Sequence, residues 1–244
     1  MSMHKTINKN IIFNVLSIVL FTFFTFYPAI SYADTFTGDT SRSTEGLGNF
    51  IAEFSYRLFS PTRAELDVTL KNTSPSSNGG FLTGFVFNNP NNFITNVNLS
   101  GSNSFFRLLG GSTFKDTISA SPFGKYDIGA SLGGDFLGDG NPTKGIGVGG
   151  SANFAFTLTG KNMDQLNTSS FMQARSNEGE FFVTRFRGFK DGGSDKVPGN
   201  AVAVPEPSVF ILLFSGLAGL VICRKKLMNQ KLSAVKFPIL QAIK

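Results

Sequence analysis

The chain has 244 residues, of which 41% are hydrophobic and 16% charged, with 27 Gly, 28 Phe, one Cys, one His and no Trp. That composition fits one ordinary domain with appendages and excludes a collagen, a coiled coil or a wholly disordered chain. The net charge of +6 hides an uneven distribution: residues 34–204 hold 14 basic and 15 acidic residues, and the excess of Lys and Arg sits in the two ends. A basic folded surface is therefore absent from the expectation, and with it a nucleic-acid partner.

Residues 1–33 place Lys5 and Lys9 before an apolar run of 16 residues, Ile11 to Phe26, then Pro28 and the small-residue ending Ser31-Tyr32-Ala33. This is the three-part layout of a secretory signal peptide, with a signal peptidase cutting after Ala33. The run falls short of the roughly 20 residues that cross a bilayer core.

The next segment, 34–200, reads as one exported domain with alternating strands. From Ala64 to Leu70, Leu66, Val68 and Leu70 share one face while Glu65, Asp67 and Thr69 share the other, the period of a half-buried strand. Strands are also predicted over Phe81 to Phe87, Asn92 to Leu99, Ser151 to Thr159 and Glu180 to Phe189. Loops of Gly, Asn, Pro and Ser are predicted over Asn72 to Gly80, Asn88 to Asn92, Gly133 to Gly150 and Asp191 to Asn200. One helix fits near Asn162 to Arg175. Many short strands between such turns predict an all-β fold, a β-sandwich or jelly-roll-like domain. Twenty Phe fall in it, and phenylalanine is the expected core residue. With no cysteine in 34–204, the domain relies on that core without disulfides.

Chemistry-bearing motifs are few. The single histidine, His4, lies in the predicted signal peptide, so Ser-His-Asp and Cys-His catalysis and His or Cys zinc sites are excluded for the exported domain. Gly145 to Gly150 satisfies G-x-G-x-x-G, but a strand follows where nucleotide binding requires a helix. No enzymatic function is expected. Carboxylates remain: Asp135 and Asp139 share one Gly-rich loop with Asn141, and Asp191 and Asp195 share another. Such oxygen-rich loops make calcium the one candidate cofactor, although neither has EF-hand spacing and turn formation by Asp and Asn beside Gly is the favoured reading of them. Arg185 and Arg187, two apart, project to one face, where they pair with sheet acids or meet an anionic polymer.

At the other end, Val204-Pro205-Glu206-Pro207-Ser208 precedes fifteen uncharged residues, Val209 to Cys223, and then Arg224-Lys225-Lys226. The prolines fix φ and bias the residues before them away from helix, so the strip stays extended. An apolar helix closed by a basic cluster puts that cluster on the cytoplasmic side. At 1.5 Å per residue the helix covers only about 22 Å, enough for a thin bilayer. The lone Cys223 is read as a small apolar residue of this span. Pro205-Glu206-Pro207, the short apolar stretch and the basic stop together resemble the PEP-CTERM sorting signal of bacterial surface and exopolysaccharide-associated proteins, which an exosortase, a membrane-embedded transpeptidase-like enzyme, processes.

The resemblance covers 201–226, with the transmembrane helix at 209–223, and leaves 227–244 as a cytoplasmic tail extension beyond the usual family ending. It implies a non-enzymatic protein that is anchored in the inner membrane as a precursor and then delivered to the cell surface or extracellular matrix. The implied partners are signal peptidase, an exosortase-like enzyme and extracellular polysaccharide. The other reading from a different class is a secreted carbohydrate- or calcium-binding lectin-like module using the acidic loops.

Overall fold

A computed structural model describes residues 33–138 and 140–201. These residues are all-β apart from short helical turns. The strands are β1 (Ala33–Gly38), β2 (Phe50–Ser60), β3 (Arg63–Asn72), β4 (Gly79–Phe87), β5 (Ile94–Gly101), β6 (Phe106–Gly110), β7 (Ile118–Ser119), β8 (Lys125–Tyr126), β9 (Ile128–Leu132), β10 (Ile146–Gly147), β11 (Ser151–Gly160), β12 (Phe182–Phe189) and β13 (Ser194–Asn200). A helical turn at Met163–Gln165 and a short α-helix, α1 (Thr168–Gln173), fill the predicted helical window. The N-cap of α1, Asn167, accepts from the Ser170 amide, and the Ser170 side chain donates back to the Asn167 carboxamide, closing the first turn.

One large antiparallel sheet runs in the order β5-β11-β3-β2-β1-β13-β12-β4-β9-β6, with β10 added beside β4. A two-stranded ribbon, β7–β8, stands apart. The large sheet is narrowest at its middle, where β1 meets β13 through only Thr37 opposite Asn200 and Gly38 opposite Gly199. Its two halves fold toward each other about that seam. Phe85 and Phe87 of β4 touch Phe154 and Phe156 of β11 at ring-centroid distances of 4.9 and 5.2 Å, although those strands are far apart in sheet order. A shared interior between the halves follows.

That interior is built from phenylalanine. Fifteen of the twenty Phe in the domain are buried, which leaves only a few for any surface role. Phe36 on β1 meets Phe54 at 4.8 Å, Phe182 at 4.9 Å and Phe181 at 5.0 Å, all edge-on, the arrangement that ring quadrupoles favour. Leu66, Val68 and Leu70 face inward as the alternation predicts, and so do Phe154, Phe156 and Leu158. Tyr56 points into the same core and donates its hydroxyl to the Met163 carbonyl at 2.7 Å, and burial pushes its pKa up to about 12. A second, smaller cluster lies on the opposite side of β4 and β12: Val86 and Val183 pack with Ile118, Phe123, Tyr126 and Phe136. Strands β4 and β9 are consequently buried on both faces, and their sequences carry no charged residue and no polar–apolar alternation.

The segment Asp191 to Asn200, expected to be loop, is corrected by β13. Only the stretch around Gly192, at φ +81°, turns; Ser194–Asn200 pairs with β12 from Arg187 opposite Ser194 to Val183 opposite Pro198. The inward positions are Asp195, Val197 and Gly199. A charged residue and a glycine in the core-facing register erase the alternation that marks the other strands. The predicted loop from Gly133 to Gly150 likewise contains a helical turn at Pro142–Lys144 and the short strand β10.

Candidate functional site

Asp195 is fully buried, and its carboxylate gathers the loop before β2 around it. Oδ1 accepts from the Thr44 hydroxyl at 2.9 Å and the Glu45 amide at 3.0 Å, while Oδ2 accepts from the amides of Leu47 at 2.8 Å and Gly48 at 2.9 Å. Four donors on two oxygens satisfy the buried charge within the protein. Asp191 is exposed and accepts from the Gly193 amide at 2.8 Å, and Asp135 is exposed and accepts from the Leu137 amide at 3.0 Å. Both contacts span two residues, as in an Asx turn. Asp139 lies outside the described residues. Among the described residues, no three His, Cys, Asp or Glu side chains come together to hold a metal ion.

Arg185 and Arg187 are half-buried on β12. Arg185 donates to the Ser194 hydroxyl at 3.3 Å and Arg187 to the Gly140 carbonyl at 3.2 Å. Burial and then the neighbouring Arg187 pull the Arg185 guanidinium below its ordinary value, an effect opposed by Asp135 and Asp195.

The glycine run that satisfied G-x-G-x-x-G is an ordered turn. Ile146 and Gly147 pair with Leu82 and Phe81 of β4. Asn72, buried at the end of β3, donates its side-chain amide to the Ile146 carbonyl at 2.8 Å, and its carbonyl accepts from Gly149 at 2.9 Å. Gly145 has no room for a side chain, because a Cβ there would lie 2.5 Å from the Leu82 carbonyl. Strand β11 follows directly, so a helix N-terminus for a pyrophosphate is missing, as the sequence implied.

This turn forms the floor of a groove of about 490 Å³ that sequence reasoning missed. Its rim carries Phe105, 52% exposed, with the Lys144 ammonium 4.9 Å from the ring centroid. Asn103 joins the two: its side-chain amide donates to the Lys144 carbonyl at 2.9 Å and its side-chain oxygen accepts from the Phe105 amide at 3.1 Å. A smaller groove of about 220 Å³ shares Phe105 and Lys144 and adds Arg107 and Asn141. A hint in the sequence is Phe105 at the end of the polar run Ser102-Asn103-Ser104, but nothing local links it to residues 144–150.

The predicted signal cleavage residue, Ala33, opens β1 opposite Ser55. The following Asp34 accepts from the Thr168 hydroxyl of α1, so the first residue after the predicted cut is tied into the fold. The sorting residues Pro205, Glu206 and Pro207, the basic stop Arg224, Lys225 and Lys226, and the predicted span 209–223 lie outside the described residues. Among the described residues no helix is long and apolar enough to cross a membrane.

The protein is thus an all-β domain followed by a tail of different character. Residues 203–226 of that tail match the family model of the PEP-CTERM protein-sorting motif. The chain thus carries a PEP-CTERM protein-sorting motif, and the motif implies export and membrane-associated sorting by an exosortase-type enzyme. No curated protein and no solved structure matches the chain.

Proposed function

We propose that this protein is a non-enzymatic β-sandwich exported by the signal peptide in residues 1–33, held in the inner membrane through 209–223, and processed at Pro205 to Pro207 for service at the cell surface or in the extracellular polysaccharide. The match of residues 203–226 to the sorting motif carries this reading. The domain fits the role of cargo. It contains no histidine or cysteine between residues 34 and 204, and its most deeply buried carboxylate, Asp195, is spent on holding a loop. No calcium is required in this reading, since the oxygens of Asp195 already have protein donors.

Replacing both Pro205 and Pro207 by alanine frees the strip to join the helix behind it and removes the extended substrate a processing cleft would grip. The expected outcome, read by immunoblotting of membrane and released fractions from cells that carry the sorting enzyme, is full-length protein retained in the membrane. Release of the shortened form at the parental rate would refute this role for the prolines.

A further inference from the structure

We propose that the groove between Phe105 and the Gly145–Gly150 turn binds a segment of acidic polysaccharide, an inference that rests on the cell-surface reading and names its ligand class. Three observations carry it. The first is an exposed aromatic ring on a domain that buries most of its others. Phe105 keeps 52% exposure while fifteen of its fellow Phe are buried, and an apolar ring left in water is informative where it sits beside a groove. The aliphatic C–H face of a pyranose stacks on such a ring, and the ring offers this area at small entropic cost because only two torsions must be fixed.

The second observation is charge. The described residues lining the two adjoining grooves include Lys144 and Arg107 and no carboxylate, although the described domain has as many acids as bases. Both cations are exposed. Such a lining favours carboxylate or sulfate groups along a polymer and disfavours nothing that a neutral sugar carries, so the charged ligand gains selectively.

The third is construction. Asn103 bonds the backbone of Phe105 and of Lys144 at once, so the two segments that carry ring and cation are tied together before any ligand arrives. The floor is backbone rather than side chain: Gly147 and Gly150 let a ligand approach closely, and Asn72 pins the turn from beneath. Hydroxyls of Ser104, Thr143 and Ser151 stand along the walls. The grooves together form an open trough that suits an internal stretch of polymer.

The absence of Trp from the chain allows a direct test. Phe105→Trp in the full-length protein, in detergent, makes a single indole at the groove. Alginate, a polyuronate, should change its emission saturably, while neutral dextran and polyglutamate, a polyanion without sugar rings, should not. Adding Lys144→Glu should weaken the alginate response about tenfold, the scale of one charge-assisted contact. Equal responses to alginate and dextran, equal responses to alginate and polyglutamate, no response to alginate, or an unchanged alginate affinity with Lys144→Glu would each overturn the proposal. Membrane retention of the Pro205/Pro207 variant reports on the sorting reading independently, so the two can fail separately.

Discussion

Phe182→Ala is expected to destabilise the domain by about 3–5 kcal/mol, the range for removing a large buried aromatic ring. The Phe182 ring lies 4.9 Å from Phe36, 5.7 Å from Phe50, Phe54 and Phe85, and is itself fully buried. It sits on β12 yet touches rings from β1 and β2 in the other half of the sheet, so its loss opens a void at the place where the halves meet. Since the edge pairing of β1 with β13 is only two residue pairs long, ring packing rather than ladder hydrogen bonds must hold that seam. A domain stability of about 5–15 kcal/mol is typical, and a loss of this size is a large share of it. Urea unfolding of the variant beside Phe59→Ala measures the difference. Phe59 is 49% exposed at a bulge in the β2–β3 hairpin, and its removal should stay within about 0.5 kcal/mol of the parent. A Phe182→Ala loss no greater than that of Phe59→Ala would mean that the two halves do not depend on a common core.

Asp195→Ala should cost about 3–4 kcal/mol, because it strips acceptors from three amides and a hydroxyl at once. Gly48 is buried, so water replaces the lost carboxylate poorly there. Asp195→Asn should fall between, since one oxygen remains and the amide NH₂ faces donors. The loss should be local as well as global: the Leu47 and Gly48 amides should exchange with solvent much faster than those of β3. Chelation offers a second readout on the parent protein, whose unfolding midpoint should be the same with and without EDTA. A midpoint that drops on chelation would make Asp195 part of a metal site and refute its purely loop-holding role.

The fold class was legible where strands alternate cleanly. Ala64 to Leu70 and Ser151 to Thr159 lie within β3 and β11, which pair along nine residues, and both keep their apolar face inward. Strand β2 carries the same period in Phe50, Ala52, Phe54 and Tyr56, all buried, and extending the same count would have found it. Strand β13 was not legible, because Asp195 occupies a core-facing position and only the donors of residues 44–48, about 150 positions away, make that tolerable. The short strands β6 to β10 were hidden for a different reason. Pairing makes them strands, with a distant segment for Ile146 and Leu82 and across a short loop for β7 and β8, and they carry little local preference of their own.

The candidate sites divide the same way. The sorting tail is written in contiguous residues, where proline, apolar length and basic stop are adjacent in sequence. The Phe105 groove is assembled from the β5–β6 loop and the turn before β11, some forty residues apart. A spacing that long has no one-dimensional signature. The acidic loops drew attention because Asp and Gly cluster there, yet each of the described aspartates among them makes bonds to protein backbone amides.

If the chain is a folded cargo with removable segments at both ends, the intact mass of the protein recovered from its native cells will show it. The expected product begins at Asp34 and ends within or just before Pro205 to Pro207, with residues 209–244 gone. A native product that retains both Met1 to Ala33 and the tail through Lys244 would contradict it.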